Sequence, residues 1–381
     1  MIFTPSKLPG TGTSIFSVMS KLAEEHQAIN LSQGFPDYDC DPKLFELVNQ
    51  AMKNGFNQYA PMAGLPVLRE LIADKVNTLY GASYHPDTEV TVTAGGTQAI
   101  FTALASTIGP GDEVIVFEPA YDCYAPTIRM FGGLVKPYIM TPPNYAIDWD
   151  MVKKLFSART KMIIINSPHN PTGSVLQEKD IQALIKLTQN TDILILSDEV
   201  YEHVIYDGRE HLSISRYPQL RERAFIVASF GKLLHTTGWK TGYCIAPEFL
   251  MKEFRKIHQF NVFSVNTPMQ VAIANYLKDS STYLGLSAFF QQKRDAFRSM
   301  LSATRFDLLP CSGSYFQCVT YKKIGHESDI ALATRLIKDF RVAAIPVSAF
   351  YSRNTDCHVL RFCFAKKQET LEKAVESLTK L

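Results

Sequence analysis

Polar and apolar positions change period repeatedly along the middle of this chain. Short apolar runs occur at 89–93, 113–117, 161–165, 192–196, 225–228 and 241–246. Most are unbroken and β-branched, which predicts strands covered on both faces, since a strand with one wet face would alternate. Between them lie stretches with helical spacing, such as 98–108 and 178–189. Strand and helix in turn predict an α/β fold, a doubly wound, mostly parallel sheet forming one large domain over residues 46–281. The pattern then changes. A polar helical segment near 291–295, strand-like stretches at 313–317, 342–345 and 359–364, and a helix over Asp329–Phe340 predict a smaller α+β domain over 282–381. Residues 1–45, with Gly10, Gly12 and Pro36, read as an arm and connectors joined to it.

Composition narrows the function. With 381 residues, 46% of them hydrophobic and 20% charged, the chain can bury a large core. A formal charge of +2 implies no field for nucleic acid or a membrane surface. The seven cysteines are dispersed, without a C-x-x-C pair, which suits reduced thiols and a cytoplasmic setting. The first residues lack a charged region followed by a sustained apolar one, so no signal peptide is expected. No apolar run approaches the roughly 20 residues that span a bilayer, and the nine histidines form no metal-binding spacing.

The chemistry gathers where the predicted strands end. Lys232 follows the run at 225–228, with Ser229 three residues before it and Lys240 eight after it. A lysine leaving a parallel strand enters the crevice where open sheets bind ligands. One amine for a Schiff base, with phosphate partners on both sides, is what pyridoxal 5′-phosphate requires. Gly95, Gly96, Thr97 and Gln98 follow the first strand and open a helix, whose free N–H groups suit a phosphate. Tyr121, after the second strand, could stack on a flat ring. Asn170 lies in an Asn-Pro-Thr-Gly turn after the third. Asp198 and Tyr201 follow the fourth; a carboxylate beside a pyridine nitrogen keeps it protonated, and a phenol can donate to the ring oxygen next door. Each has an ordinary alternative as a turn, a cap or core packing. Five successive strands each ending in a group suited to one part of the same molecule favour the cofactor.

On these residues, with the stretches at 31–37, 57–61 and 359–362, the chain resembles the class I/II pyridoxal-phosphate-dependent aminotransferases of fold type I, nearest their methionine and kynurenine–glutamine aminotransferase branch. The resemblance implies that Lys232 forms the imine with the cofactor and that Asp198 pairs with its ring nitrogen. It implies further that Asn170 and Tyr201 donate to the ring oxygen, that Tyr121 stacks, and that Gly96, Thr97, Gln98, Ser229 and Lys240 hold the phosphate. Tyr59 matches a residue reaching the phosphate of a second subunit, which implies a homodimer. Arg361 matches the arginine that binds the substrate carboxylate, beside Gly34 and Asn170. Gly231, Lys240 and Tyr121 depart from patterns frequent in relatives, most of all from those of aspartate aminotransferases. Phe16, Tyr121 and Phe350 match the wall around the substrate side chain. The expected reaction is transamination between a neutral amino acid, methionine preferred and aromatic ones accepted, and a 2-oxo acid. A kynurenine–oxoglutarate or glutamine transaminase and a cysteine-conjugate or cystathionine β-lyase are the alternatives. The first shares the branch, and the second shares nearly all of the cofactor ligands.

Overall fold

A computed structural model describes residues 4–353 and 355–381; the first three residues of the expected N-terminal arm lie outside it. Among the described residues the main sheet has seven strands. They are β1 (Val90–Thr93), β2 (Glu113–Glu118), β3 (Leu134–Ile139), β4 (Thr160–Asn166), β5 (Leu194–Asp198), β6 (Ala224–Ser229) and β7 (Gly242–Ile245). The spatial order is β1-β7-β6-β5-β4-β2-β3. Every pairing is parallel except those of β7, which runs antiparallel to both its neighbours.

The apolar runs are unbroken because successive side chains enter two different cores. Ile163 and Ile165 of β4 pack into one, Met162 and Ile164 into the other, and Ile115 with Phe117 separates from Val114 with Val116 in the same way. The helix Gly96–Thr107 covers one face with Ala99, Ile100, Ala103 and Leu104. On the other, Glu178–Thr188 buries Ile181 and Leu184, its start fixed by a capping box between Gln177 and Asp180.

Three features differ from the sequence expectation. β3 carries Lys136 and Pro137 and is mostly half-exposed; proline cannot donate to a ladder, and the strand lies at the sheet edge, where this is tolerated. The arm contains a helix, Ile15–Glu25, capped by Ser14, whose hydroxyl accepts from the Ser17 amide at 3.3 Å. The boundary expected at residue 46 falls inside the helix Pro42–Lys53, which packs on Thr267–Leu277 and is tied to it by Tyr276 donating to Asp41 at 2.8 Å.

A second, antiparallel sheet aligns Ile345–Pro346, Val359–Cys363, Phe316–Thr320 and Asp307–Leu308 in that order. The arm joins this part of the chain through the parallel pair Ile29–Asn30 and Val342–Ala343. Residues 31–37 are thereby carried across from the second sheet to the C-terminal edge of the first. No helix among the described residues is long and apolar enough to cross a membrane.

Candidate active site

The parallel strands deliver their last residues to one edge. Asn166 of β4 lies opposite Asp198 of β5, which lies opposite Val227 of β6, and Ser229 at the end of β6 lies opposite Gly242. A cavity of about 280 Å³ opens there. All the residues expected from the sequence line it except Gln98, Tyr59 and Phe350.

Asp198 forms the floor. It is 3% exposed, and its partners are neutral: Tyr124 donates to Oδ2 at 2.5 Å and the Val200 amide to Oδ1 at 3.3 Å. Burial pushes the carboxyl up to about 6, against the two hydrogen bonds that hold it down. Asn166 braces the same strand end. Its amide donates to the Asp198 carbonyl at 2.8 Å, and its oxygen accepts from the Asn170 amide at 2.9 Å.

Lys232 sits on the single turn Phe230–Leu233 that follows β6. Its Nζ donates to the Gly34 carbonyl at 2.8 Å and lies 5.7 Å from the centre of the Tyr201 ring and 5.5 Å from that of Tyr315. Burial holds the ammonium down to about 8.

Gly95 turns the chain from β1 into the helix Gly96–Thr107 with a φ of 82°, a conformation open mainly to glycine, and it offers no side-chain cap. The first turn of a 12-residue helix therefore presents unsatisfied N–H groups to the cavity. Lys240 brings its amine to the same place: a Cβ built on Gly95 would stand 3.7 Å from its Nζ. Thr97 and Tyr121 share a hydrogen bond of 3.3 Å beside it.

Arg361 closes the opposite side. It is fully buried in Val359–Cys363, yet Nη1 donates to Asn170 Oδ1 and Nη2 to the Ser32 carbonyl, each at 2.7 Å. Nε has no partner. The guanidinium lies 3.9 Å from the Phe316 ring centre and 5.4 Å from those of Phe16 and Phe350. A buried cation with neutral partners and a spare donor is poised for an anion.

The remaining expected residues stand elsewhere. The Gln98 side chain turns back from the cavity, accepting from the Ala94 amide at 3.0 Å and donating to Thr102 at 2.7 Å. Phe350 lies behind Arg361, 5.7 Å from Phe16. Tyr59 is 82% exposed and meets Phe263 edge-on at 5.2 Å, away from the cavity of its own chain. Sequence reading missed Tyr124, Asn166 and Tyr315. Tyr124 stands three residues beyond Tyr121, and Asn166 ends the apolar run of β4 as Asp198 ends that of β5, so a strand-end rule applied without exception finds Asn166. Nothing local marks Tyr124 or Tyr315, whose partners are distant in sequence.

A buried carboxylate, a nearby amine, a helix N-terminus with a second amine, and an arginine with spare capacity suit a flat cationic ring bearing a phosphate, together with a carboxylate-bearing substrate. Comparison with known proteins agrees. The profile of aminotransferase class I and II matches residues 26–378. The methionine aminotransferase of Escherichia coli (strain K12) is 46% identical over 377 residues, covering 99% of this chain and 98% of that protein. A crystal structure of an Escherichia coli protein with a methionine aminotransferase function superposes with a TM-score of 0.97 at 45% identity, covering both chains fully. Human kynurenine–oxoglutarate transaminase 1 is 34% identical, with 94% of each chain covered. The chain therefore belongs to the class I and II aminotransferases, enzymes that use pyridoxal 5′-phosphate to move an amino group from an amino acid to a 2-oxo acid.

Proposed function

We propose that this enzyme transaminates methionine, and more slowly aromatic amino acids, with the residues of the cavity in defined roles. The observation that carries the reading is the setting of Arg361: a buried guanidinium with neutral hydrogen-bond partners, enclosed by the rings of Phe16, Phe316 and Phe350. It suits a substrate whose carboxylate is anchored while an apolar side chain packs beside it. The 46% identity to a methionine aminotransferase supports the same choice.

The donor set fits the cofactor. Asp198, buried among neutral partners, gains a counter-charge from a protonated pyridine nitrogen. Gly96 and Thr97, at the open start of their helix, hold the phosphate with Ser229 and Lys240. Tyr121 would cover the ring, and Tyr201 with Asn170 would donate to the ring oxygen. Lys232 is the amine to which the cofactor would be joined. When bound, the protonated ring accepts the charge left on a substrate carbon that loses its proton.

The side chains do the rest. Arg361 and Asn170 orient the amino acid by its carboxylate. With its amine free, Lys232 would act as the base for the Cα proton and as the acid that delivers it two bonds away, across the substrate nitrogen. Burial favours this role, since an ammonium held down to about 8 is roughly one-tenth free amine at pH 7.

Tyr59, exposed and edge-on to the exposed ring of Phe263, with exposed Phe260 on the same stretch as Phe263, supports a homodimer in which it would serve the partner's phosphate. The free cysteines support a cytoplasmic setting. The division into a large body over 46–281 and a smaller one over 1–45 and 282–381 remains our assignment. The kinship with a kynurenine–oxoglutarate transaminase supports kynurenine as a secondary donor. Initial rates for a panel of amino acids with several 2-oxo acids test the reading. Methionine should lead and aspartate should be slow; aspartate turned over faster than methionine would overturn it. Pyruvate and ammonia formed from cystathionine without an acceptor would favour the β-lyase.

A further inference from the structure

Gln33 and Gly34 line one wall of the cavity, and the backbone around them is held by donors from distant parts of the chain. Arg361 Nη2 donates to the Ser32 carbonyl at 2.7 Å, and Lys366 Nζ to the Phe35 carbonyl at 2.8 Å. The Gly34 carbonyl accepts twice, from Lys232 Nζ at 2.8 Å and from Tyr315 Oη at 2.6 Å. Glycine is required there by close approach, since a Cβ would stand 2.8 Å from the Phe316 ring. Tyr315 is 1% exposed, its ring edge-on to Tyr201 with 5.0 Å between centres. It has no role in the chemistry assigned to Lys232, yet it shares that residue's acceptor.

We propose that Tyr315 is a positioning residue: its phenol keeps the Gly34 carbonyl, and with it residues 32–37, seated against the site after Lys232 has released that carbonyl. The proposal rests on the reading of Lys232 as the amine joined to pyridoxal 5′-phosphate. As an ammonium, Lys232 has three N–H donors. When its nitrogen condenses with the cofactor aldehyde, the aldehyde oxygen departs as water with two of those hydrogens, and the nitrogen keeps one N–H at most. The three N–H groups able to serve the Gly34 carbonyl fall to one at most, and that one is held in the plane of the new double bond. Tyr315 then remains as that carbonyl's partner, and its hydrogen bond is unaffected by the condensation. Without it, loading the cofactor would leave a partly buried carbonyl unpaired, a loss that opposes loading and loosens the wall. In the unloaded protein Lys232 covers the same carbonyl, so the phenol matters little there.

Tyr315→Phe removes one oxygen and keeps the buried ring. Hydrogen–deuterium exchange of peptides covering 32–37 would be compared in wild type and variant, each with and without pyridoxal 5′-phosphate, together with cofactor affinity from absorbance titration. We expect equal exchange without cofactor, faster exchange of the variant with cofactor, and cofactor affinity about tenfold weaker. The KM for the amino acid should rise several-fold, with kcat within about twofold of wild type. Equal exchange of the two loaded proteins would overturn the proposal. So would exchange raised equally with and without cofactor, the mark of a packing defect alone. Should the variant not fold, wild type still decides: protection of 32–37 must survive loading, and its loss on loading would overturn the proposal. A wild-type protein that forms no absorbing adduct would instead overturn the reading of Lys232, and this one with it.

Discussion

At the scale of single residues, the site is arranged against its own stability. Asp198 is buried and Lys232 half-buried where neither charge is fully matched, and both titrate away from their ordinary values. The Asp198 carboxyl is raised to about 6 in the folded chain from an ordinary value near 3.8. A raised folded value means that the stability this group contributes is full below about pH 4 and is lost as pH rises through about 6. Asp198→Asn should therefore stabilise the unloaded protein at pH 7.5 by up to about 3 kcal/mol, at about 1.4 kcal/mol per unit, and change it little near pH 4. Urea unfolding at the two pH values measures this, and a variant less stable than wild type at pH 7.5 would contradict it. With cofactor the same variant should lose turnover by several powers of ten. Lys232 gives the opposite dependence. Only the free amine attacks an aldehyde, so the rate of cofactor loading should climb with pH and level off above about 8. Stopped-flow absorbance between pH 6.5 and 9 reads it, and a flat profile would count against the assignment.

Lys232, Asp198 and Asn170 were legible because each comes within a few residues of the end of an apolar run, and the end of a parallel strand is where such a sheet places its ligands. Tyr124 and Tyr315 were not. They act through Asp198 and Gly34, across separations of 74 and 281 residues that no local pattern encodes. Gln98 shows the reverse. Its position at a helix start suggested a ligand, but the side chain satisfies its own turn through the Ala94 amide.

At the scale of elements, the end of β5 is fixed from behind. Asp198 and Tyr201 face the cavity, while Glu199 and Glu202 face away into buried polar clusters. Glu199 accepts from Ser197 at 2.8 Å, from the Ile214 amide at 3.0 Å, and shares a 2.8 Å contact with His211 Nε2. Glu202 accepts from Lys75 at 2.6 Å, from Tyr80 at 2.5 Å and from Tyr243 at 3.1 Å. Lys75 lies on the helix Pro66–Tyr80 and Tyr243 on β7, so the pair ties three elements together. Lys75→Met leaves Glu202 buried without a counter-ion and should cost about 3–5 kcal/mol. Adding Glu202→Gln should recover most of that loss. A single variant with an unchanged melting temperature would refute a stabilising role for the pair. Unbroken apolar runs made β2, β4, β5 and β6 readable. β3 escaped because an edge strand needs no such run and can hold Pro137. The helix Ile15–Glu25 packs Ile15, Phe16, Met19, Leu22 and Ala23 on the core, and it escaped because the arm was read from its glycines, its proline and its short polar stretches.

At the scale of the whole molecule, the cavity draws on chain separated by more than 300 residues. Arg361 reaches the Ser32 carbonyl, and Lys366 reaches that of Phe35. The sequence announced two architectures but not their seam, because the pairing of Ile29–Asn30 with Val342–Ala343 involves only two residues on each side. In the proposed homodimer Tyr59, 82% exposed, and Phe260, 87% exposed, would lie on the covered surface. Sedimentation should give a dimer at micromolar concentration, and Tyr59→Phe should weaken cofactor affinity without dissociating it. A monomer that binds cofactor fully would contradict the shared site.

The most direct measurement is covalent. Protein loaded with pyridoxal 5′-phosphate would be reduced with borohydride, digested and mapped by mass spectrometry. The expected result is one modified peptide, with the label on Lys232 and none in a Lys232→Ala control. Label on another lysine, or a loaded protein that takes up none, would contradict the assignment from which every other role in the cavity follows.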